Sequence, residues 1–147
     1  MKNADVIFTN STYRLRDVAE TIEKYDEHFW SNGHSLKIMV FDDSSLANHE
    51  KYFAQLEQTK TVNHLYYVGP REKERFIEFL NRRLRDKKLD SLVRDFFRPS
   101  YGGNHNFTLR YSLSHHLVSA DDDMRPHALI ETHPESLNTS EVSRENR

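Results

Sequence analysis

Short apolar runs rich in β-branched and aromatic residues alternate along this chain with stretches of helical period, and that alternation restricts the fold more than any other feature. Val6-Ile7-Phe8-Thr9, closed by the polar cluster Asn10-Ser11-Thr12, reads as a strand followed by a cap. Leu15, Val18, Ala19, Ile22, Tyr25 and Phe29 follow at spacings of three and four, with Asp26 as the polar member of the series. They predict one face of a helix that ends near Asn32-Gly33. Leu36 to Phe41 is a second strand, nearly continuous in apolar character, as expected of a strand covered on both faces. A second amphipathic stretch runs through Leu46, His49, Phe53 and Leu56, and a third strand, His64 to Val68, stops at Gly69-Pro70.

Pro70 suits the first turn of a helix whose stripe is Phe76, Ile77, Leu80 and Leu84. After the charged break Arg85 to Lys88, a helix or its second half resumes with Leu89, Leu92, Val93, Phe96 and Phe97. Arg98 to Gly103 reads as a loop, Asn104 to His116 as a helix, and Leu117 to Ala120 as a strand ending in Asp121-Asp122-Asp123. Strands alternating with helices imply right-handed crossovers and parallel pairing. The expected fold is therefore α/β, a Rossmann-like open twisted sheet of about four mainly parallel strands flanked by helices. Beyond Pro126 lie Ala128-Leu129-Ile130 and a polar run from Glu131 to Arg147, expected to be poorly ordered.

Composition removes whole classes of function. No cysteine is present, which excludes disulfides, thiolate metal sites and thiol nucleophiles. Twenty-one Lys and Arg against 23 Asp and Glu leave a formal charge of −2, so no overall cationic field exists to hold nucleic acid or an anionic membrane. No apolar run approaches the roughly 18 residues of a membrane span, and Met1 to Asp5 leads into a strand with no signal-peptide core. A soluble cytoplasmic protein with no membrane span and no nucleic-acid partner is expected. Neither GxxxxGK[ST] nor GxGxxG occurs, and no HxxxH or HExxH pair is found among nine histidines. Ser44 stands two positions after Asp42, where a haloacid-dehalogenase-like phosphatase needs a second aspartate. The basic run Arg82 to Lys88 reads as a solvated helix face.

In open parallel sheets ligands bind outside the carboxyl ends of the strands. Those ends carry Thr9-Asn10, Asp42-Asp43-Ser44, Gly69-Pro70 and Asp121-Asp122-Asp123. Side chains alternate along a strand, so Asp121 and Asp123 can face one side and form a hard-oxygen site for Mg²⁺ or Mn²⁺. Such an ion neutralises charge that builds on a leaving diphosphate; the plainer reading is a solvated acidic turn or a helix cap. Asp42 and Asp43 can accept from a ribose hydroxyl or a base N–H, or can cap the next helix together with Ser44 and Ser45. Gly102-Gly103 before a helix starting near Asn104 offers a helix N-terminus to phosphate, or is an ordinary loop.

Four motifs in this order carry a family resemblance: Phe8-Thr9-Asn10 with Tyr13-Arg14, Phe41-Asp42-Asp43-Ser44-Ser45, Gly102-Gly103-Asn104-His105-Asn106, and Ser119-Ala120-Asp121-Asp122-Asp123-Met124. Together they resemble the nucleotide-sugar-binding half of a GT-A-fold glycosyltransferase, closest to the large inverting family 2-like group. The resemblance implies that residues 1–126 bind a nucleotide-sugar donor and that residues 127–147 begin an acceptor half or form a polar tail. It implies Thr9 and Asn10 in the base pocket, Asp42 and Asp43 near base and ribose, and Asn106 on the donor. It further implies Asp121, Asp122 and Asp123 at the ribose, diphosphate and divalent metal, with Asp121 and Asp123 as ligands of Mn²⁺ or Mg²⁺ and Asp123 the more direct one. His105 replaces the arginine usual before that asparagine.

The implied partners are a nucleoside-diphosphate sugar, a UDP-sugar first, and a carbohydrate or lipid-linked acceptor. Family members continue well past the Asp-x-Asp motif to supply the acceptor site and the general base. Here the residues after it offer Glu131, Glu135, Glu141 and Glu145 without a helix-strand frame, so no catalytic residue is assigned. The chain is then expected to be a truncated donor-binding part, oligomeric or completed by a missing C-terminal half. Two alternatives stay open: a non-catalytic nucleotide-binding or assembly module, and a metal-dependent phosphoryl or nucleotidyl transferase.

Overall fold

The computed structural model describes residues 5–126. The elements run β1 (Val6–Thr12), α1 (Leu15–Ser31), β2 (Lys37–Asp42), α2 (Leu46–Gln58), β3 (His64–Val68), α3 (Pro70–Leu84), α4 (Lys87–Phe96), α5 (Tyr101–Tyr111) and β4 (His116–Asp121). Every strand pair is parallel, and the sheet order is β3-β2-β1-β4. This is the α/β, Rossmann-like sheet that the alternation predicts. The chain builds outward from β1 to β3 and then returns to the opposite side of β1, so the winding direction reverses between β1 and β4. Such a switch point opens a crevice at the carboxyl ends of the two strands.

Alternating side chains of β1 and β2 feed two core layers. Phe8, Ile38 and Val40 pack with Val18, Ile22 and Tyr25 of α1 and with Tyr52 and Leu56 of α2. Ile7, Met39 and Phe41 pack with Ile77 of α3, Val93 of α4 and Phe107 of α5. Covering on both faces accounts for the apolar run in β2. Aromatic pairs close each layer: Phe8 stacks on Tyr25 at 4.5 Å between centroids, and Phe97 lies 4.7 Å from Phe107.

Several boundaries differ from the sequence reading. β1 continues through Asn10, Ser11 and Thr12, because these residues pair in register with Val40, Phe41 and Asp42 of β2. Backbone pairing on both sides of a central strand outweighs the turn preference of small polar side chains. α3 and α4 are separate helices, divided where Arg85 adopts φ 55° and Asp86 accepts from the Lys88 N–H at 2.9 Å. The basic run between them is exposed, as its charge pattern predicts. α5 begins at Tyr101 and ends at Tyr111, so His115 lies in the turn before β4 and His116 starts the strand. The apolar patch 128–130, the polar run 131–147 and the four glutamates in it lie outside the described residues. Among the described residues no helix is long and apolar enough to cross a membrane.

Asp26, polar on an otherwise apolar helix face, is buried and receives three donors. These are the Val62 N–H at 2.6 Å, the Asn63 N–H at 3.0 Å and the Asn63 side-chain amide at 2.8 Å. Asn63 in turn accepts from the Leu36 N–H at 2.8 Å, so one carboxylate sets where β2 and β3 enter the sheet. Asp26→Ala leaves those donors unsatisfied and should destabilise the chain by at least about 2 kcal/mol, read as a lowered midpoint in urea unfolding with an unchanged m-value.

Candidate functional site

At the switch point the strand ends enclose a cleft of about 330 Å³. Ser11, Thr12, Tyr13 and Arg14 line it from the end of β1, and Asp121, Asp122 and Asp123 face them from the end of β4. Asp43 follows β2, and Tyr101 and Asn104 come from the first turns of α5. Tyr13 and Tyr101 are 65% and 80% exposed, which puts two aromatic rings within reach of a planar ligand.

The two walls are joined by hydrogen bonds. The Thr12 hydroxyl donates to Asp122 Oδ2 at 3.1 Å and accepts the Arg14 N–H at 3.1 Å. Thr21 of α1 donates to the Asp122 carbonyl at 2.7 Å. Asp122 is buried and held in place, whereas Asp121 and Asp123 stand exposed on either side of it. This is the alternation expected of three residues leaving a strand.

The floor is polar and buried. Asp42 accepts from the Ser44 N–H at 2.7 Å, the Ser44 hydroxyl at 2.9 Å and the Tyr67 hydroxyl at 2.7 Å. Burial first, and then the bond to Asp42, push the Tyr67 phenol well above its ordinary range. Asp42 therefore caps the turn after β2 and does not line the cleft, whereas Asp43 does. The Asp43 N–H donates to the Thr12 carbonyl at 2.8 Å, fixing that residue beside the end of β1. Its Oδ1 is buried without a hydrogen-bond partner. Burial raises the Asp43 carboxyl above the usual carboxylate range, opposed by Lys73 and by the Ser100 N–H.

Lys73 lies beneath the cleft, 7% exposed. Its Nζ donates to the Asp42 carbonyl and to Asn104 Oδ1, both at 2.6 Å, and stands 3.9 Å from Asp43 Oδ1. The Asn104 amide donates to the Phe41 carbonyl at 3.0 Å, so Asn104 and Lys73 together tie α5 and α3 to the end of β2. The loop before α5 closes tightly as well. Ser100 caps the helix by accepting from the Gly103 N–H at 3.1 Å, and a Cβ at Gly103 would collide with the Arg98 carbonyl oxygen. Both Gly102 and Gly103 lie inside the helix, not ahead of it.

The cleft thus gathers Asp43, Asp121, Asp122 and Asp123 from the sequence-predicted set. It does not gather Thr9 and Asn10, which are fully buried inside the extended β1, with the Asn10 amide donating to the Ala120 carbonyl at 3.1 Å. Ser11 to Arg14 take their place. Asn106 is turned away and donates to the Phe96 carbonyl at 2.7 Å at the end of α4; Asn104, two residues earlier, lines the cleft. Starting α5 at Tyr101 instead of Asn104 accounts for that shift, and Ser100 three residues before Gly103 is the capping signal that could have revealed it. Lys73 carries no signal, because a lysine between Arg71 and Arg75 reads as part of a solvated face.

No family model, curated protein or solved structure matches the chain. Among the described residues no three His, Cys, Asp or Glu side chains gather as a self-sufficient metal site. A Mg²⁺-type ion commonly takes only one or two protein carboxylates and completes its shell with water and phosphate oxygens. Asp121 and Asp123 supply that number, and the Arg14 guanidinium against Asp123 shows that a cation can sit there. The donor set fits an ion that enters together with an anionic ligand.

Burial lowers the Lys73 ammonium from 10.5 to about 8, against the attraction of Asp43 and Asp42. Between those values the folded chain binds fewer protons than the unfolded chain, so this group's stability contribution is full above pH 10.5 and is lost as pH falls through 8. Wild type should therefore gain stability from about pH 8 to about pH 9.5 relative to Lys73→Met, measured by urea unfolding at each pH. Gly103→Ala should lower stability by roughly 1–3 kcal/mol and expose Tyr101 and Asn104 to faster hydrogen exchange, as the loop before α5 is forced away from Arg98.

Proposed function

We propose that this chain is the donor-binding part of a metal-dependent glycosyltransferase and that its cleft takes a nucleoside-diphosphate sugar. The observation that carries the reading is the position of the cleft: a switch-point crevice lined by acidic residues from two strand ends and rimmed by two exposed tyrosines. A diphosphate alone would be repelled by four carboxylates. Together with a divalent cation the same carboxylates become attractive, so the charge pattern suits an anion that travels with its ion.

In this reading Asp43, which lines the cleft, accepts from a ribose hydroxyl or base N–H. Asp123 and Asp121 hold Mn²⁺ or Mg²⁺, whose chemistry is to neutralise the charge developing on the diphosphate as it leaves the sugar. Thr12 and Thr21 fix Asp122 and with it the direction of its two neighbours. An acceptor hydroxyl, from a carbohydrate or a lipid-linked sugar, would approach from the cleft mouth.

One observation favours a second reading, a non-catalytic nucleotide-binding module. Among the described residues every carboxylate lining the cleft stands at a donor-side strand end. None is left over to take a proton from an acceptor hydroxyl.

Calorimetric titration of UDP, GDP, CDP and TDP with and without Mn²⁺ tests donor binding. At least one diphosphate should bind in a metal-dependent way, and Asp123→Ala should weaken it about tenfold or more, roughly the worth of one charge-assisted contact. Binding of none of the four would sink the proposal. Slow sugar release from the matching donor would favour the transferase over the module.

A further inference from the structure

Arg14 directly follows β1, and its guanidinium turns back over the cleft. Nη1 donates to Asp123 Oδ2 at 2.8 Å and lies 3.7 Å from Asp122 Oδ1. Nη2 donates to the Tyr13 hydroxyl at 3.0 Å, and the Tyr13 ring lies 5.1 Å from the guanidinium carbon. These restraints are unequal. The Asp122 side chain is 6% exposed and already bound to Thr12, so it cannot follow the guanidinium. The Asp123 side chain is 59% exposed and that of Arg14 41%, so their ion pair is solvated and cheap to exchange. Tyr13 sits on Arg14's own segment and can stay with it.

A divalent ion at this point would compete with Arg14 for one carboxylate. A divalent ion on Asp123 and a guanidinium on Asp123 repel each other at contact distance. We infer that Arg14 is an exchangeable counter-ion, which pairs with Asp123, yields it to a divalent cation, and then turns its freed guanidinium to the diphosphate that the cation brings. The inference rests on the nucleoside-diphosphate reading of the cleft and adds to it a residue with two opposite effects. Arg14 weakens the binding of the ion alone, because it must be displaced. It strengthens the binding of the ion with its diphosphate, because a planar guanidinium pairs with two phosphate oxygens at once. Metal and diphosphate then bind more strongly together than the sum of either alone.

The test compares wild type, Arg14→Ala and Arg14→Lys with two probes: Mn²⁺ alone, followed by water-proton relaxation, and UDP at saturating Mn²⁺, followed by calorimetry. Arg14→Ala should bind Mn²⁺ alone about two- to fivefold more tightly, as expected for loss of an exposed competing pair. The same variant should bind UDP with Mn²⁺ about tenfold more weakly, and Arg14→Lys should fall between it and wild type for UDP. Unchanged or weaker Mn²⁺ binding by Arg14→Ala, or undiminished UDP binding, overturns the inference while leaving the cleft's reading in place. Wild type that binds neither Mn²⁺ nor UDP removes that reading and the inference with it. Thermal unfolding of each variant checks that it folds, and Arg14→Gln replaces Arg14→Ala if the latter does not.

Discussion

Six residues of β4 pair in register with β1, from Val6 opposite His116 to Ser11 opposite Asp121, and this ladder joins parts of the chain about 110 residues apart. The cleft depends on it. β2 occupies the other edge of β1, so β4 can add only on the far side, and the winding of the chain reverses between the two strands. The crevice between them faces the carboxyl ends of the strands. It is there that Thr12 reaches Asp122 and that Arg14 reaches Asp123. Without this pairing the acidic end of β4 would be a solvated turn.

Beneath the cleft the molecule uses polar groups where a sheet of this kind commonly uses aliphatic ones. Asp26 holds the strand entries at the amino end, and Asp42, Tyr67, Lys73 and Asn104 hold the exits at the carboxyl end. Each buried polar atom in these groups is expensive unless paired. Most are paired, and the geometry is therefore narrowly defined. Asp43 Oδ1 is a departure from that rule, closed off from solvent with the Lys73 ammonium 3.9 Å away.

Fold class was readable from hydrophobic periodicity because the two central strands are covered on both faces and the helices on one. The end of β1 was not. Asn10, Ser11 and Thr12 look like a turn in isolation, and pairing of all three with β2, and of Asn10 and Ser11 with β4 as well, keeps them extended. That three-residue extension moves the cleft lining from Thr9-Asn10 to Ser11 through Arg14. The acidic ends of β2 and β4 were legible as pairs, since Asp43 and the aspartate triplet do meet. The division of labour within each pair was not, because whether Asp42 or Asp43 turns inward depends on Tyr67, 25 residues away. Asn106 and Asn104 exchanged roles for a similar reason, a helix start displaced by Ser100. Lys73 was invisible because burial is a property of the assembled layers, and no local pattern distinguishes it from its charged neighbours.

The same long separation between β1 and β4 also orders events in time. β1 meets β2 across about 30 residues of chain, whereas β4 must close a loop nearly four times longer, and each doubling costs about 0.6 kcal/mol of chain entropy. The β1-α1-β2-α2-β3 half can form its ladders and the Asp26 tie from contacts within itself. Loop closure alone therefore favours these ladders forming before β4 docks. β3 and β4 are both edge strands paired on one side only, and β4 is exposed along Val118 and Ser119. Opening of the sheet at the β4 edge would separate Asp122 from Thr12 and dissolve the cleft.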